Sequence, residues 1–100
     1  MVTEYIRYKI QSEKIAQFIA DYKKAAVPLA GSPYCKDFDL TQCTEEETDF
    51  ILRIVWTSAA DHMEKFRKSA EFAVFFSHIK PYLQNILEMR HYGYTDVKAR

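Results

Sequence analysis

The chain has 100 residues, 48% of them hydrophobic and 15% aromatic, with 14 basic and 14 acidic side chains. This length suits one domain, with an ordered core over about residues 3–95, and the apolar content excludes a disordered chain. Charge is balanced and no like-charged run exceeds Glu45-Glu46-Glu47, so nucleic acid and anionic membranes are not expected partners.

The opening MVTEYIRYKI carries Glu4, Arg7 and Lys9 and lacks an apolar stretch. It reads as neither signal peptide nor membrane span, which implies a cytoplasmic location. Tyr5 to Ile10 alternates, with Ile6, Tyr8 and Ile10 on one face and Tyr5, Arg7 and Lys9 on the other, and is the first predicted strand. Ser12 offers an N-cap. Ile15, Phe18, Ile19, Tyr22 and Ala26 then recur at helical spacing and define an amphipathic helix of about four turns. Pro28, Gly31, Ser32 and Pro33 are expected to end it.

A second strand is predicted from Tyr34 to Cys43, with Phe38 and Leu40 on the face of Tyr34, and Asp37 and Asp39 on that of the cysteines. Within one strand Cys35 and Cys43 would stand roughly 26 Å apart, too far for a disulfide, so both read as free thiols. The polar run Thr44 to Thr48 is short enough to join strands two and three as a hairpin. Asp49 to Trp56 alternates Phe50, Leu52, Ile54 and Trp56 against Ile51, Arg53 and Val55, and two largely apolar faces mark a central strand.

Ser58 with Asp61 reads as a capping box opening a helical piece from Ala59 to about Lys68. A second piece, from Ala70 to about Ile79, starts at a Ser69 cap, and Pro81 favours a stop. Ile86 to Tyr94 is the fourth strand, with Leu87, Met89 and His91 on one face and Gly93 marking a bulge or close approach.

The order β-α-β-β-α-β predicts an α+β, ferredoxin-like fold, an antiparallel four-stranded sheet with helices on one face. Ile51, Val55 and Tyr5 or Tyr92 leave the other face apolar. That predicts a homodimer packed sheet against sheet, with Arg53 paired to a carboxylate such as Glu88 or Asp37.

Trp56 closes the third strand and His62 follows six residues later, so an indole, an imidazole and the aromatic helix Phe72 to Phe76 can line one pocket. Trp56 is the candidate pocket wall and N–H donor, and His62 the candidate catalytic base, since an imidazole of ordinary pKa can take up a proton near neutral pH. Tyr8, Phe38, Phe72, Phe76 and His91 are candidate substrate-binding residues, although each also suits an ordinary core. No metal site is expected, because His62, His78 and His91 lack helical pair spacing and the cysteines lack CxxC spacing.

Trp56-Thr57-Ser58 followed by Ala60, His62, Phe66, Ser69 and Phe72 resembles the signature stretch of the antibiotic biosynthesis monooxygenase family of dimeric α+β barrels. Cys35 and Phe38-Asp39-Leu40 after a Gly-Ser-Pro loop extend the resemblance over nearly the whole chain. It implies a small homodimer with one cleft per subunit and an oxygenase chemistry without flavin or metal, in which a phenol, anthrone or quinol loses a proton and its carbanion meets oxygen directly. No cofactor is expected, and the chain has only two glycines and no phosphate loop. Haem-degrading relatives are expected to carry an Asn on the first strand and a His at the place of Phe66, so haem cleavage is disfavoured. The polyketide oxygenases' Asn and Tyr positions hold Leu52 and His62. These departures keep a second reading in view, a non-catalytic small-molecule-binding or sensing domain, and a third, a structural dimeric module whose pocket is filled by side chains.

Overall fold

The computed structural model describes residues 1–99. Four strands, β1 (Val2–Lys9), β2 (Cys35–Gln42), β3 (Asp49–Trp56) and β4 (Ile86–Gly93), form one antiparallel sheet in the order β2-β3-β1-β4. Two helices, α1 (Ile15–Ala30) and α2 (Ala70–Ile79), pack on each other and cover one face. The α+β architecture and the central place of β3 follow the hydrophobic alternation, because Phe50, Leu52, Ile54 and Trp56 all turn toward the helices and are buried.

Phe18 is the hub of that core. It is fully buried and meets Tyr8, Tyr22, Phe50 and Tyr82 edge to face, with ring centroids 4.9 to 5.1 Å apart, the geometry that ring quadrupoles favour.

Local chemistry departs from expectation at several points. Ser12 does not cap α1. It opens a short 3₁₀ turn (Ser12–Lys14), and its Oγ donates to Glu47 Oε1 at 3.1 Å, binding the helix entry to the β2–β3 connection. Pro28 lies inside α1 rather than after it. The carbonyl it leaves without an intrahelical donor belongs to exposed Lys24, where water can serve, while buried Leu29 and the Gly31 N–H bond to Val27 O hold the last turn. Ser69 does cap α2, accepting from the Phe72 N–H at 3.2 Å. Half of the expected box at Ser58 forms: Ser58 Oγ accepts from the Asp61 N–H at 2.9 Å, but the Asp61 carboxylate accepts from the Thr57 hydroxyl at 2.6 Å instead of reaching back. Pro81 does not stop helical structure outright, since it sits in the first turn of a 3₁₀ segment (Lys80–Asn85), where a missing N–H costs nothing.

Two bulges change which residues face the core. Opposite β1, Arg7 pairs with Glu88 and Tyr8 with Ile86, so Leu87 is the extra residue. It is 56% exposed, and Ile86 takes the inward place alongside Met89 and His91. The irregularity expected at Gly93 therefore lies at Leu87. In β2, Cys35 pairs with Trp56 and Asp37 with Val55, leaving Lys36 as the extra residue. Cys35 thus packs against the core on the side of Phe38 and Leu40, not on the side of Asp37 and Asp39. Both cysteines are free thiols.

The face away from the helices carries Ile51, 39% exposed, together with Val55 and the edge-to-face pair Tyr5–Tyr92. Arg53 is held there by Asp37 at 2.6 Å and Asp39 at 2.7 Å. No helix among the described residues is long and apolar enough to cross a membrane.

Phe18→Ala removes the hub of four ring contacts and is expected to lower stability by about 3–5 kcal/mol, read as a shift in the urea unfolding midpoint; a loss below 1 kcal/mol would show that the neighbouring rings close the gap.

Candidate active site

The site lies where β3 ends. The chain leaves Trp56, takes the Ser58 cap and enters a π turn (Asp61–Lys65), then a 3₁₀ turn (Phe66–Lys68). The Phe66 N–H reaches back to both Asp61 O and His62 O. In this widened turn His62 and Phe66 both fall on the indole, and Arg67, five residues after His62, returns to the same side. The His62 ring stacks on Trp56 at 4.3 Å between centroids with 6° between planes, and Phe66 lies 4.8 Å from Trp56.

Across the sheet, register supplies the remaining polar groups. Glu4 on β1 stands opposite Ile54 on β3 and His91 on β4, and residues directly opposite share a face. Its carboxylate is therefore on the helix side, only 2% exposed. It accepts from the Trp56 indole N–H at 3.0 Å. His62, 3% exposed, places Nδ1 2.7 Å from His91 Nε2, and its Nε2 lies 3.3 Å from Arg67 Nε and 3.8 Å from Glu4 Oε1.

Burial pushes the Glu4 carboxyl above its ordinary pKa, against the opposing pull of the Trp56 N–H and of the His91 and Arg67 charges. Burial also drives His62 down to about 3, helped by the Arg67 charge and by His91. His62 is thus a neutral imidazole near pH 7, and its approach to Glu4 is not an ion pair. Arg67 can only donate, so Nε2 of His62 accepts and Nδ1 carries the ring proton, donated to His91.

Glu4, His62 and Arg67 form the polar end of a cavity of about 100 Å³ whose walls include Trp56, Phe66, Phe72, Phe75 and Phe76. The Arg67 guanidinium lies 5.6 Å from the Phe72 ring centroid. Half-exposed Leu83 and Met89 sit at its rim. Of the residues singled out in the sequence, Trp56, His62, Phe72 and Phe76 meet at this cavity, and His91 stands behind His62. Tyr8 does not reach it: its hydroxyl bonds that of Tyr22 in the core beside Phe18. Phe38 lines a separate groove of about 250 Å³ between α1 and β2.

Glu4 and Arg67 are the residues that sequence reasoning missed. Glu4 had a legible signal, since it is in phase with Ile6, Tyr8 and Ile10 on the inward face of β1. Arg67 had none, because a spacing of five residues points away from His62 in an α-helix and meets it only in a π turn. Glu4, His62 and His91 offer donor atoms within 4.8 Å of one another, but they do not converge as metal ligands. His62 turns a different ring nitrogen to each neighbour, and the Arg67 cation sits beside the one that faces Glu4.

The depressed pKa of His62 has a definite linkage sign. An unfolded chain takes up a proton on this imidazole near pH 6.5 and the folded chain only near 3, so the stabilising contribution is complete above 6.5 and is lost as pH falls toward 3. Wild-type stability should fall by up to about 1.4 kcal/mol per pH unit over that window relative to His62→Gln; parallel urea-unfolding profiles for the two proteins would refute it.

The family model described as Antibiotic biosynthesis monooxygenase matches residues 1–77, which include Glu4, Trp56, His62 and Arg67 and stop short of β4. Uncharacterized protein YczJ of Bacillus subtilis (strain 168) is 29% identical over 72 residues, covering 72% of this chain and 76% of that protein. Among solved structures, a conserved protein from Methanosarcina mazei Go1 superposes with a TM-score of 0.79 at 16% identity, covering 94% of this chain and 92% of its own. A protein from Bordetella bronchiseptica, described as a proposed antibiotic biosynthesis monooxygenase, superposes with a TM-score of 0.74 at 22% identity, covering 94% and 96%. Those likenesses show the fold, and the family match covers most of the sequence. The chain belongs to the antibiotic biosynthesis monooxygenase family.

Proposed function

We propose that this protein is a cofactor-independent monooxygenase for a small aromatic substrate of the phenol, anthrone or quinol class. The observation that carries the reading is the cavity itself, with aromatic walls and a polar end holding a buried carboxylate, a neutral imidazole and a guanidinium. At about 100 Å³ it is smaller than the roughly 150 Å³ apolar cavity that admits benzene, so a ring enters by moving the rim side chains Leu83 and Met89. The phenyl walls pack on its faces and keep water from the reacting carbon.

The base in this reading is Glu4 rather than His62. A carboxylate whose proton affinity is raised by burial is a better acceptor inside the cavity than an imidazole driven down to about 3. Glu4 takes the acidic proton of the substrate, from the ring carbon of an anthrone or the hydroxyl of a phenol or quinol, whose charge spreads to the ring carbon, and Arg67 faces the oxygen on which the negative charge gathers. The carbanion gives its electron pair to dioxygen and a carbon–oxygen bond forms. The oxygen–oxygen bond then breaks, one oxygen staying as the new carbonyl and the other leaving as water with the two hydrogens the substrate loses, both from carbon in an anthrone, one from carbon and one from the hydroxyl in a phenol or quinol. Trp56 donates to Glu4 and fixes its carboxylate, while the stacked His62 ring forms the wall beside it.

The same aromatic lining would serve a non-catalytic ligand-binding domain, which binds phenols and consumes no oxygen. Oxygen uptake with a panel of quinols and anthrones separates the two. In an active protein, Glu4→Gln should lower kcat by about 10²-fold or more with bound substrate still protecting the fold; unchanged turnover would remove Glu4 from the base role.

Assembly is part of the same proposal. We read residues 1–100 as one domain, cytoplasmic in keeping with its free thiols, that pairs through the sheet face bearing Tyr5, Ile51, Val55 and Tyr92. Light scattering should give twice the 11.8 kDa chain mass, and Ile51→Arg should give the chain mass alone; a monomeric wild type would rule the pairing out.

A further inference from the structure

Arg67 lines the cavity without a carboxylate to hold it. Among the described residues no ion pair includes its guanidinium, and its hydrogen bond is the one that Nε donates to His62 Nε2 at 3.3 Å. That bond needs a lone pair on Nε2, so the single proton of the neutral imidazole sits on Nδ1. Which ring nitrogen bears the proton is set by the partner of the other nitrogen. Here that partner is His91, whose Nε2 lies 2.7 Å from His62 Nδ1, while the stack on Trp56 fixes the plane of the His62 ring. The three side chains form a one-way line of donors, Arg67 to His62 to His91, which closes only while His91 Nε2 accepts.

We propose that His91 is the positioning residue of Arg67, acting through His62: while neutral it keeps the guanidinium at the cavity, and once protonated it releases it. A protonated His91 bears N–H on both ring nitrogens and accepts from neither, so no turn of its ring restores the line. The short bond survives with its direction reversed, as a charge-assisted bond from His91 Nε2 to His62 Nδ1. The His62 proton then sits on Nε2 and meets the Arg67 Nε–H donor against donor. The longer bond, that of Arg67, gives way. The two rings together have taken one proton from solvent, His62 stays neutral, and Glu4 exchanges no proton with it.

The surroundings leave His91 as the group that titrates in this line. It is partly exposed, whereas His62 is buried. The charged and titratable groups on its side of the sheet are Glu4, directly opposite on β1, and His62 with Arg67 behind it from the turn after β3. Arg90, next along β4, stands opposite Tyr5 on the other sheet face. For catalysis the inference rests on the reading in which Arg67 faces the charged oxygen of the substrate, but the hydrogen bonds that carry it are present without substrate.

Heteronuclear NMR of the substrate-free chain tests it, following the histidine ring nitrogens and the solvent exchange of the Arg67 Nε–H, relative to that of exposed Arg90, as pH falls. In step with the protonation of His91, the His62 proton should move to Nε2 and the Arg67 Nε–H should exchange roughly tenfold faster or more. His91→Gln, whose carbonyl accepts from His62 and takes up no proton, should keep the Arg67 N–H protected throughout. His91→Phe offers no acceptor and should lose that protection already at neutral pH. Equal protection in wild type and His91→Phe overturns the positioning. An Arg67 N–H that stays protected while His91 becomes charged, or a His91 that takes up no proton before the chain unfolds, overturns the release. None of these readouts uses turnover, so a wild type that consumes no oxygen removes the proposed activity and leaves the spectra to decide the inference.

Discussion

The rest of the site depends on one buried contact, the Trp56 indole donating to the Glu4 carboxylate at 3.0 Å. A carboxylate removed from water loses several kcal/mol of solvation, and one hydrogen bond to a charged group returns about 1.5–3 kcal/mol. The remaining imbalance appears as the raised proton affinity of Glu4. That contact also fixes geometry. It joins β1 to the last residue of β3 and holds the indole plane on which His62 lies, so the carboxylate, the imidazole and the aromatic wall are positioned by the same pair.

The turn after β3 supplies what the sheet cannot. A regular α-helix starting at Ser58 would carry Arg67 away from His62. The π turn, closed by the Phe66 N–H on the Asp61 and His62 carbonyls, widens the helix by about one residue and brings the guanidinium back. Thr57 and Ser58 stabilise its start through Asp61, and Ser69 ends it cleanly by capping α2. Hydroxyl residues outside the cavity thus place the only cation that lines it among the described residues, and that cation adds to the burial that keeps His62 neutral.

The two sheet faces divide the work. Edge-to-face rings around Phe18 give the helix side its rigidity, and Tyr8 belongs to that packing, away from the cavity. On the other side Asp37 and Asp39 both grip Arg53, beside the partly apolar surface around Ile51. The β4 bulge at Leu87 links the faces. By absorbing one residue it returns Met89 and His91 to the helix side and lets His91 stand directly opposite Glu4.

Local pattern determined much of this architecture. Alternation in β1 and β3, helical spacing in α1 and the Ser69 cap were sufficient to read the element order, the central strand and the Trp56–His62–Phe72–Phe76 cavity, because each depends on neighbours a few residues apart. Glu4 was legible in principle from its phase with Ile6 and Tyr8, but a charge near a chain start reads by default as solvated. The bulges at Lys36 and Leu87, the helical Pro28 and the π turn were decided by tertiary structure, since each trades a local preference for burial of a side chain elsewhere. The same holds for the chemistry. The sequence by itself determined that a tryptophan closes a strand and a histidine follows six residues later, so that the two can meet, whereas the burial and partners that make His62 a poor base and Glu4 a better one come from strands 52 and 29 residues distant in the chain, and proton affinity follows surroundings that no local pattern encodes.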